Sequence, residues 1–429
     1  MNTNKKLNRY STYALSELTS KALVTIITIG SVSFLNAEDY AKMGLALSWI
    51  GLLSPLFIFS ADVSIIRYVK DKESTNDFTR LLFQAHFNIM IMLFMSTLIV
   101  LTAYNLSTQT FTSFEVIMLL VSTSVASLYT VRLRVLLFEL SFFKASALSI
   151  LPSFILTFGA LSLLALGELT WQQRIILPTI GFCVAILLSG YYNFTSFCDT
   201  SRTHYQHLLN VAKWLTPQMI FNALYIYGDR IIASYYLNDT DLVFLLVVAQ
   251  CAFLLSFVNR LFNTWWQTKI FNNNGQESSS FFKVLGLAML AYLSIFLVVV
   301  CYFYKFFPAT FDKLIFGFCI YSIGFFSQIY YHLNNAVLIW MKRYNHQLFI
   351  SLMSGCTSIC AAIFFYIGNS WEYFGVVFVL ASVTQFLMVN FFLHAAGVEV
   401  WSLIHRSLAF IAIVGIYTIC IFSIGSFFT

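Results

Sequence analysis

LNDTDLVFLLVVAQCAFLLSFVNRLFNTWWQTK, residues 237–269, runs from a polar junction through seventeen uncharged residues (242–258) to a tail with an arginine and two tryptophans that ends on Lys269. Its apolar stretch with the tail exceeds the ~20 residues a helix needs to cross ~30 Å of hydrocarbon. Working outward, the pattern recurs at 11–35, 41–69, 81–104, 113–137, 144–166, 174–197, 213–237, 281–304, 313–340, 346–366, 372–394 and 406–428, so thirteen spans including 242–269 fill nearly the whole chain. Composition agrees: 10% of residues are charged, 59% are hydrophobic and mean hydropathy is +0.80, whereas a soluble domain carries about 25% charged residues. An all-α polytopic membrane protein is expected, because an open strand would leave its amides unpaired in lipid.

The junction Leu237, Asn238, Asp239, Thr240, Asp241 has an earlier counterpart in Leu35, Asn36, Ala37, Glu38, Asp39, at an offset of 202 residues. The same offset carries spans three, four, five and six onto nine, ten, eleven and twelve. One repeat is therefore six helices. Because six is even, both copies enter from the same side, and the expected architecture is two six-helix bundles related by a pseudo-two-fold axis along the membrane normal. The expected division is 1–197 for the first bundle, 198–212 for a cytoplasmic linker, 213–396 for the second bundle and 397–429 for an extra helix outside the transport core.

With a cytoplasmic N-terminus, seventeen Lys and Arg fall on inside segments, four on outside segments and three (Lys21, Arg230, Arg260) within spans. That bias places the N-terminus inside. The polar start MNTNKKLNRY runs into a full-length span without a small-residue cleavage site, so the first helix is expected to act as its own insertion signal. The net charge of +6 follows from the same bias and suits contact with anionic lipid. No nucleic-acid module, Gly-rich phosphate loop, nucleophile elbow or metal-ligand cluster is found, so neither an enzyme nor a cofactor or metal is expected. The eight cysteines form no CxxC pair and read as small apolar filler.

Polar residues inside the spans fall on stripes. Span seven carries Gln218, Asn222, Tyr225 and Asp229 at i, i+4, i+7 and i+11, one helix face. Span eight carries Ser256, Asn259, Arg260, Asn263 and Gln267; span ten carries Gln328, His332 and Asn335; span four carries Thr123, Ser127, Thr130 and Arg134; span one carries Glu17, Lys21, Thr25 and Thr28. Such stripes serve either as interhelical glue or as the wall of a wet cavity. Glu17 can neutralise Lys21, and Asp229 can neutralise Arg230 or a residue elsewhere, but Arg260 has no acidic residue in its own span. Its anion must come from another helix or from a ligand. Arg67, Arg132 and Arg134 sit one or two turns from the cytoplasmic ends, where snorkelling is expected. Asp62 lies deeper in span two and is a candidate proton- or cation-coupling group.

The start YALSELTSKALVTIITIGSVSFLNAEDYAKMGLALSWIGLLSPLFIFSADVSIIRYV, with its Glu38, Asp39, Tyr40 junction and the run from Asp62 to Arg67 and Tyr68, resembles the Wzx-type O-antigen flippases of the polysaccharide-biosynthesis transporter family. Gly228, Asp229, Arg230, Ile231 and Ile232 resemble the matching segment of their second half. The resemblance covers most of the first twelve spans. It departs at Ala41, where relatives more often place a glycine directly after the tyrosine, and at the thirteenth span. That superfamily (MOP) also holds the MATE exporters and the peptidoglycan-precursor flippase, all with two six-helix bundles.

The resemblance implies a bacterial inner-membrane transporter that moves an undecaprenyl-diphosphate-linked oligosaccharide from the cytoplasmic to the periplasmic face. A polysaccharide polymerase and a chain-length regulator are its implied partners, besides membrane lipid. By position, Lys21 and Arg260 are the implied diphosphate ligands. Glu17, Gln218, Asn222, Tyr225, Asn259, Asn263, Gln328, His332 and Asn335 would line the cavity and hold sugar hydroxyls, Asp62, Asp229 and Arg230 would couple or gate, and Arg67, Arg132 and Arg134 would stand at the cytoplasmic mouth. A cation-coupled multidrug exporter of the same fold and an O-antigen polymerase are the alternatives.

Overall fold

In the computed structural model the described residues are 3–65, 76–108, 111–138, 142–167, 169–189, 202–272, 281–341, 343–366, 371 and 374–428. Among them the regular elements are all helical. Thirteen α-helices run in chain order: α1 Thr3–Gly30, α2 Ala37–Ile58, α3 Asn76–Thr108, α4 Ser113–Phe138, α5 Phe142–Leu166, α6 Trp171–Leu188, α7 Arg202–Ala233, α8 Asp239–Asn272, α9 Phe281–Phe306, α10 Phe311–Trp340, α11 Tyr344–Tyr366, α12 Phe374–Ala395 and α13 Val400–Phe428. Among the described residues eleven segments are long and apolar enough to cross a membrane, and the chain is a multi-pass membrane protein. The two helices that fall short are α1 and α7. They are the first helix of each sequence repeat, and the polar groups Glu17, Lys21, Gln218, Asn222, Asp229 and Arg230 are what lower their hydropathy.

The matching junctions of the repeat are matching helix caps. Asn36 Oδ1 accepts from the Asp39 N–H at 2.7 Å to start α2, and Asn238 Oδ1 accepts from the Asp241 N–H at 2.9 Å to start α8. Asparagine satisfies an orphan amide here, worth about 1 kcal/mol, and an aspartate in the first turn suits the positive end of the helix.

The chain divides into two compact units, Met1–Ala223 and Leu224–Thr429. In the first, α2 packs on α4, α4 on α6, α5 on α6 and α3 on α4; in the second, α8 packs on α10, α10 on α12, α11 on α12 and α9 on α10. The order of neighbours is thus the same in each. In the first unit α1 also packs against α5, where Ser16 Oγ and Ser149 Oγ are 2.9 Å apart.

Residues 202–212, expected as a linker, are the opening turns of α7. His204, Leu208 and Ala212, spaced four apart, are buried, and Leu208 joins a core with Ala61, Ile65, Leu82, Phe83 and Val131. The spacing is that of one helix face, so this polar stretch folds because its apolar stripe has a core to enter. In the second unit, α13 packs on α9 and α10 with Tyr417 and Ile421 fully buried and the Tyr417 hydroxyl bonded to Ser322.

Candidate functional site

In the first unit α1 places Glu17 and Lys21 one turn apart, and they pair at 3.4 Å with the side chains 23% and 35% exposed. The pair follows from the favourable order of acid before base at i, i+4. Half-exposed, it is worth at most ~1 kcal/mol and leaves the ammonium reachable.

α2 is broken at its C-terminal end. Pro55 supplies no N–H, and beyond Ile58 both Phe59 and Ser60 take a left-handed backbone at φ 51° before the chain turns helical again at 61–65. Side chains in that conformation are strained, at a cost of order 1–3 kcal/mol each. The surroundings answer the break: Phe59 N–H donates to the Pro55 carbonyl at 3.1 Å, His86 Nε2 donates to the Phe57 carbonyl at 3.0 Å and Ser127 donates to the Ser54 carbonyl at 3.4 Å. Just beyond the break, Asp62 is completely buried and ion-paired with Arg134 of α4, whose side chain is 45% exposed.

Arg132, one of the residues expected to snorkel, is only 2% exposed and donates to the Ser189 carbonyl at 3.3 Å; Lys144 donates to the same carbonyl at 2.9 Å. The C-terminal end of α6 offers this carbonyl to both cations, a nearer partner than the headgroup layer. Arg67 lies outside the described residues.

In the second unit the α7 stripe from Tyr225 onward and the stripes of α8 and α10 meet partners. Asn259 Nδ2 donates to the Phe325 carbonyl at 2.8 Å and to Gln328 Oε1 at 3.4 Å, while the Tyr292 hydroxyl donates to Asn259 Oδ1 at 2.6 Å. The Tyr225 and Ser382 hydroxyls are 2.6 Å apart. Asp229 accepts from the Tyr321 hydroxyl at 2.5 Å and from the Arg230 N–H at 2.7 Å, and the buried Arg230 guanidinium stands 5.4 Å from the Tyr227 ring centre. Gln218 and Asn335 are buried too, whereas Asn222, Asn263 and His332 are half-buried. The Arg260 side chain lies outside the described residues.

The structure therefore joins Glu17 with Lys21, Asp62 with Arg134, Asn259 with Gln328 and Asp229 with Arg230. It also adds groups that the stripes did not reveal. Arg174, counted as an outside charge, is 2% exposed and donates to the Val24 carbonyl at 3.1 Å and to Thr28 Oγ1 of α1. A signal for it exists: Thr170 and Gln173 form a capping box, which starts α6 at Trp171 and puts Arg174 inside the helix. Tyr292 and Tyr321 sit among apolar neighbours in sequence, and only their hydroxyl partners distinguish them.

No family model and no curated protein matches this chain by sequence. Solved structures do match. The lipid II flippase MurJ in an inward closed conformation aligns at TM-score 0.63 and 13% identity over 95% of this chain and 97% of that one. The eukaryotic MATE transporter AtDTX14 aligns at TM-score 0.62 and 13% identity over 95% of this chain and 99% of that one. A MOP superfamily transporter from Pyrococcus furiosus Vc1 aligns at TM-score 0.57 and 13% identity over 93% and 98%. The chain has the MATE-like fold of MOP superfamily transporters.

Proposed function

We propose that this protein is a lipid-linked oligosaccharide flippase of the bacterial inner membrane, N-terminus in the cytoplasm, carrying undecaprenyl-diphosphate-linked O-antigen or related repeat units to the periplasmic face. The observation that carries the reading is the pair of half-exposed basic side chains, Lys21 at 35% and Arg134 at 45%, on helices of a membrane-embedded unit. Each is paired with a carboxylate yet keeps part of its charge reachable, which suits contact with a visiting anion, and the fold shared with a lipid II flippase is consistent with a phosphate-bearing lipid as that anion. In this reading Lys21 and Arg260 grip the diphosphate, and the half-buried Asn222, Asn263 and His332 meet sugar hydroxyls. The diphosphate and glycan cannot cross hydrocarbon unaided, so a polar route lowers the barrier.

A cation-coupled exporter of the same fold is the second reading, favoured by two buried carboxylates, Asp62 at 0% and Asp229 at 2% exposure. One experiment separates them. A deletion strain complemented with wild-type or Arg260→Ala protein is scored for surface polysaccharide, for accumulated lipid-linked repeat units and for resistance to cationic dyes. The flippase reading expects loss of polymer and accumulation of repeat units in the deletion and in Arg260→Ala, with the protein still inserted. Normal polymer together with dye sensitivity would hand the case to the exporter.

A further inference from the structure

We propose that Arg134 is an anion-binding residue whose occupancy unlatches the hinge in α2. The segment beyond the left-handed pair Phe59–Ser60 is held at three places. The Ser60 hydroxyl is 3.0 Å from that of Thr216, the Ser64 hydroxyl donates to the His207 carbonyl at 3.2 Å, and Asp62 is paired with Arg134. Two of these are neutral contacts with α7 inside the first unit. The third is charged, and one of its ends is reachable from outside the protein.

Arg134 lies on the face of α4 opposite that helix's exposed apolar residues. Phe114, Ile117 and Val121 are the large apolar residues of that helix exposed among its described side chains. Thr123, Ser127, Thr130 and Arg134, spaced four, three and four apart, fall on the other side. The exposed part of the guanidinium thus belongs to a polar face.

The pair is also incompletely satisfied. Asp62 is fully buried, yet Oδ1 has no hydrogen-bond partner among the described residues. Burying a carboxylate with one bare oxygen recovers little of its desolvation cost. A phosphate presents more acceptors to the planar fork of an arginine and stays partly hydrated while doing so. It can therefore compete for Arg134. Once Arg134 turns to it, residues 61–65 lose their charged tether and are free to rotate about Phe59 and Ser60, relieving the left-handed backbone. His86, the other titratable side chain at the break, holds the Phe57 carbonyl on the near side of the hinge, so the part that moves begins after it.

The ligand class is a phosphate or diphosphate ester, and its identity as a lipid headgroup rests on the function proposed above. The test uses the full chain in lipid nanodiscs with two probes, inorganic pyrophosphate and undecaprenyl diphosphate. Hydrogen exchange of residues 57–65 and probe affinity are read together. In the wild type, probe binding should speed exchange in this segment. Asp62→Asn should speed it without any probe and tighten pyrophosphate binding about tenfold, as expected when a competitor that occupies nine-tenths of the site is removed. The double variant Asp62→Asn/Arg134→Gln leaves no buried unpaired charge; it should keep the fast exchange and lose the probe.

Exchange and affinity unchanged in Asp62→Asn, or wild-type binding by the double variant, overturns the latch. A response to pyrophosphate upholds it with free phosphate sufficient, and a response to the lipid alone upholds it with the headgroup as the source. If polysaccharide export proves unrelated to this protein while pyrophosphate still loosens 57–65, the proposed function falls and the latch stands. If export is established and neither probe moves the segment, the reverse holds.

Discussion

Arg174 of α6 is bonded to Thr28 of α1, and the same Nη2 reaches the Val24 carbonyl at 3.1 Å. The guanidinium is buried, and its Nε has no partner among the described residues. Hydrogen bonds from a charged donor are worth about 1.5–3 kcal/mol, so Arg174→Ala should destabilise the first unit by roughly that amount. Arg174→Lys should recover part of it, because one ammonium has donors enough for both bonds that Nη2 makes but sits on a shorter side chain. Thermal unfolding of the purified protein followed by tryptophan fluorescence checks both, and equal midpoints for wild type and Arg174→Ala would contradict the assignment.

Close approach of α5 and α6 depends on Gly181. A Cβ there would lie 2.5 Å from the Pro152 Cα, a backbone atom that cannot swing aside, whereas Gly415 has nothing within 4 Å of its would-be Cβ. Gly181→Ala should therefore cost about 1–3 kcal/mol. Gly415→Ala, in the middle of α13, should be neutral or stabilising by up to about 1 kcal/mol. Size-exclusion chromatography of the heated proteins would rank them, and the opposite ranking would refute the packing argument.

The network around Asn259 fastens α8, α9 and α10 through three bonds, to Phe325, Gln328 and Tyr292. Asn259→Leu removes all three bonds, leaving the Tyr292 hydroxyl only the Phe325 carbonyl at 3.0 Å, and should cost about 1–3 kcal/mol. Pairing it with Tyr292→Phe removes both partners, and the double variant should be less destabilised than the sum of the two singles. Additive losses in a double-mutant cycle would show that the two side chains do not interact.

Glu17 sets how freely Lys21 can meet an anion. With the pair half-exposed, Glu17→Gln should leave stability within about 1 kcal/mol of wild type. It should raise binding of a diphosphate probe if Lys21 grips phosphate, and Lys21→Ala should lower it. A calorimetric titration in which Glu17→Gln weakens binding would assign the pair a purely structural role.

How much of this was readable from the chain follows from the physics each feature obeys. Membrane class, span positions and the 202-residue repeat are local: they need only the length of a hydrophobic run and the chemistry of its ends, and the paired caps at Asn36 and Asn238 carry the repeat into geometry. The pairing of Glu17 with Lys21 is local too, one helical turn on one face. Where the repeat breaks its own symmetry, sequence is silent. Thr28 maps onto Arg230 at that offset, yet each unit buries a guanidinium beside this position, from α6 in the first and from α7 itself in the second. The partnership of Asp62 with Arg134, 72 residues away, and the fastening of Asn259 to α9 and α10 are of the same kind.

The amino-acid order by itself determined that the chain lives in lipid, how many times its helices recur and which of their faces carry polar groups, because hydrophobic length and helical period act within a single element. Which of those polar groups fasten helices to one another and which stay reachable was decided only by tertiary structure. A side chain's partner is set by the helix packed against it, and two residues on one polar stripe, Tyr225 and Asn222, end buried and half-buried respectively for no reason that either residue carries in itself.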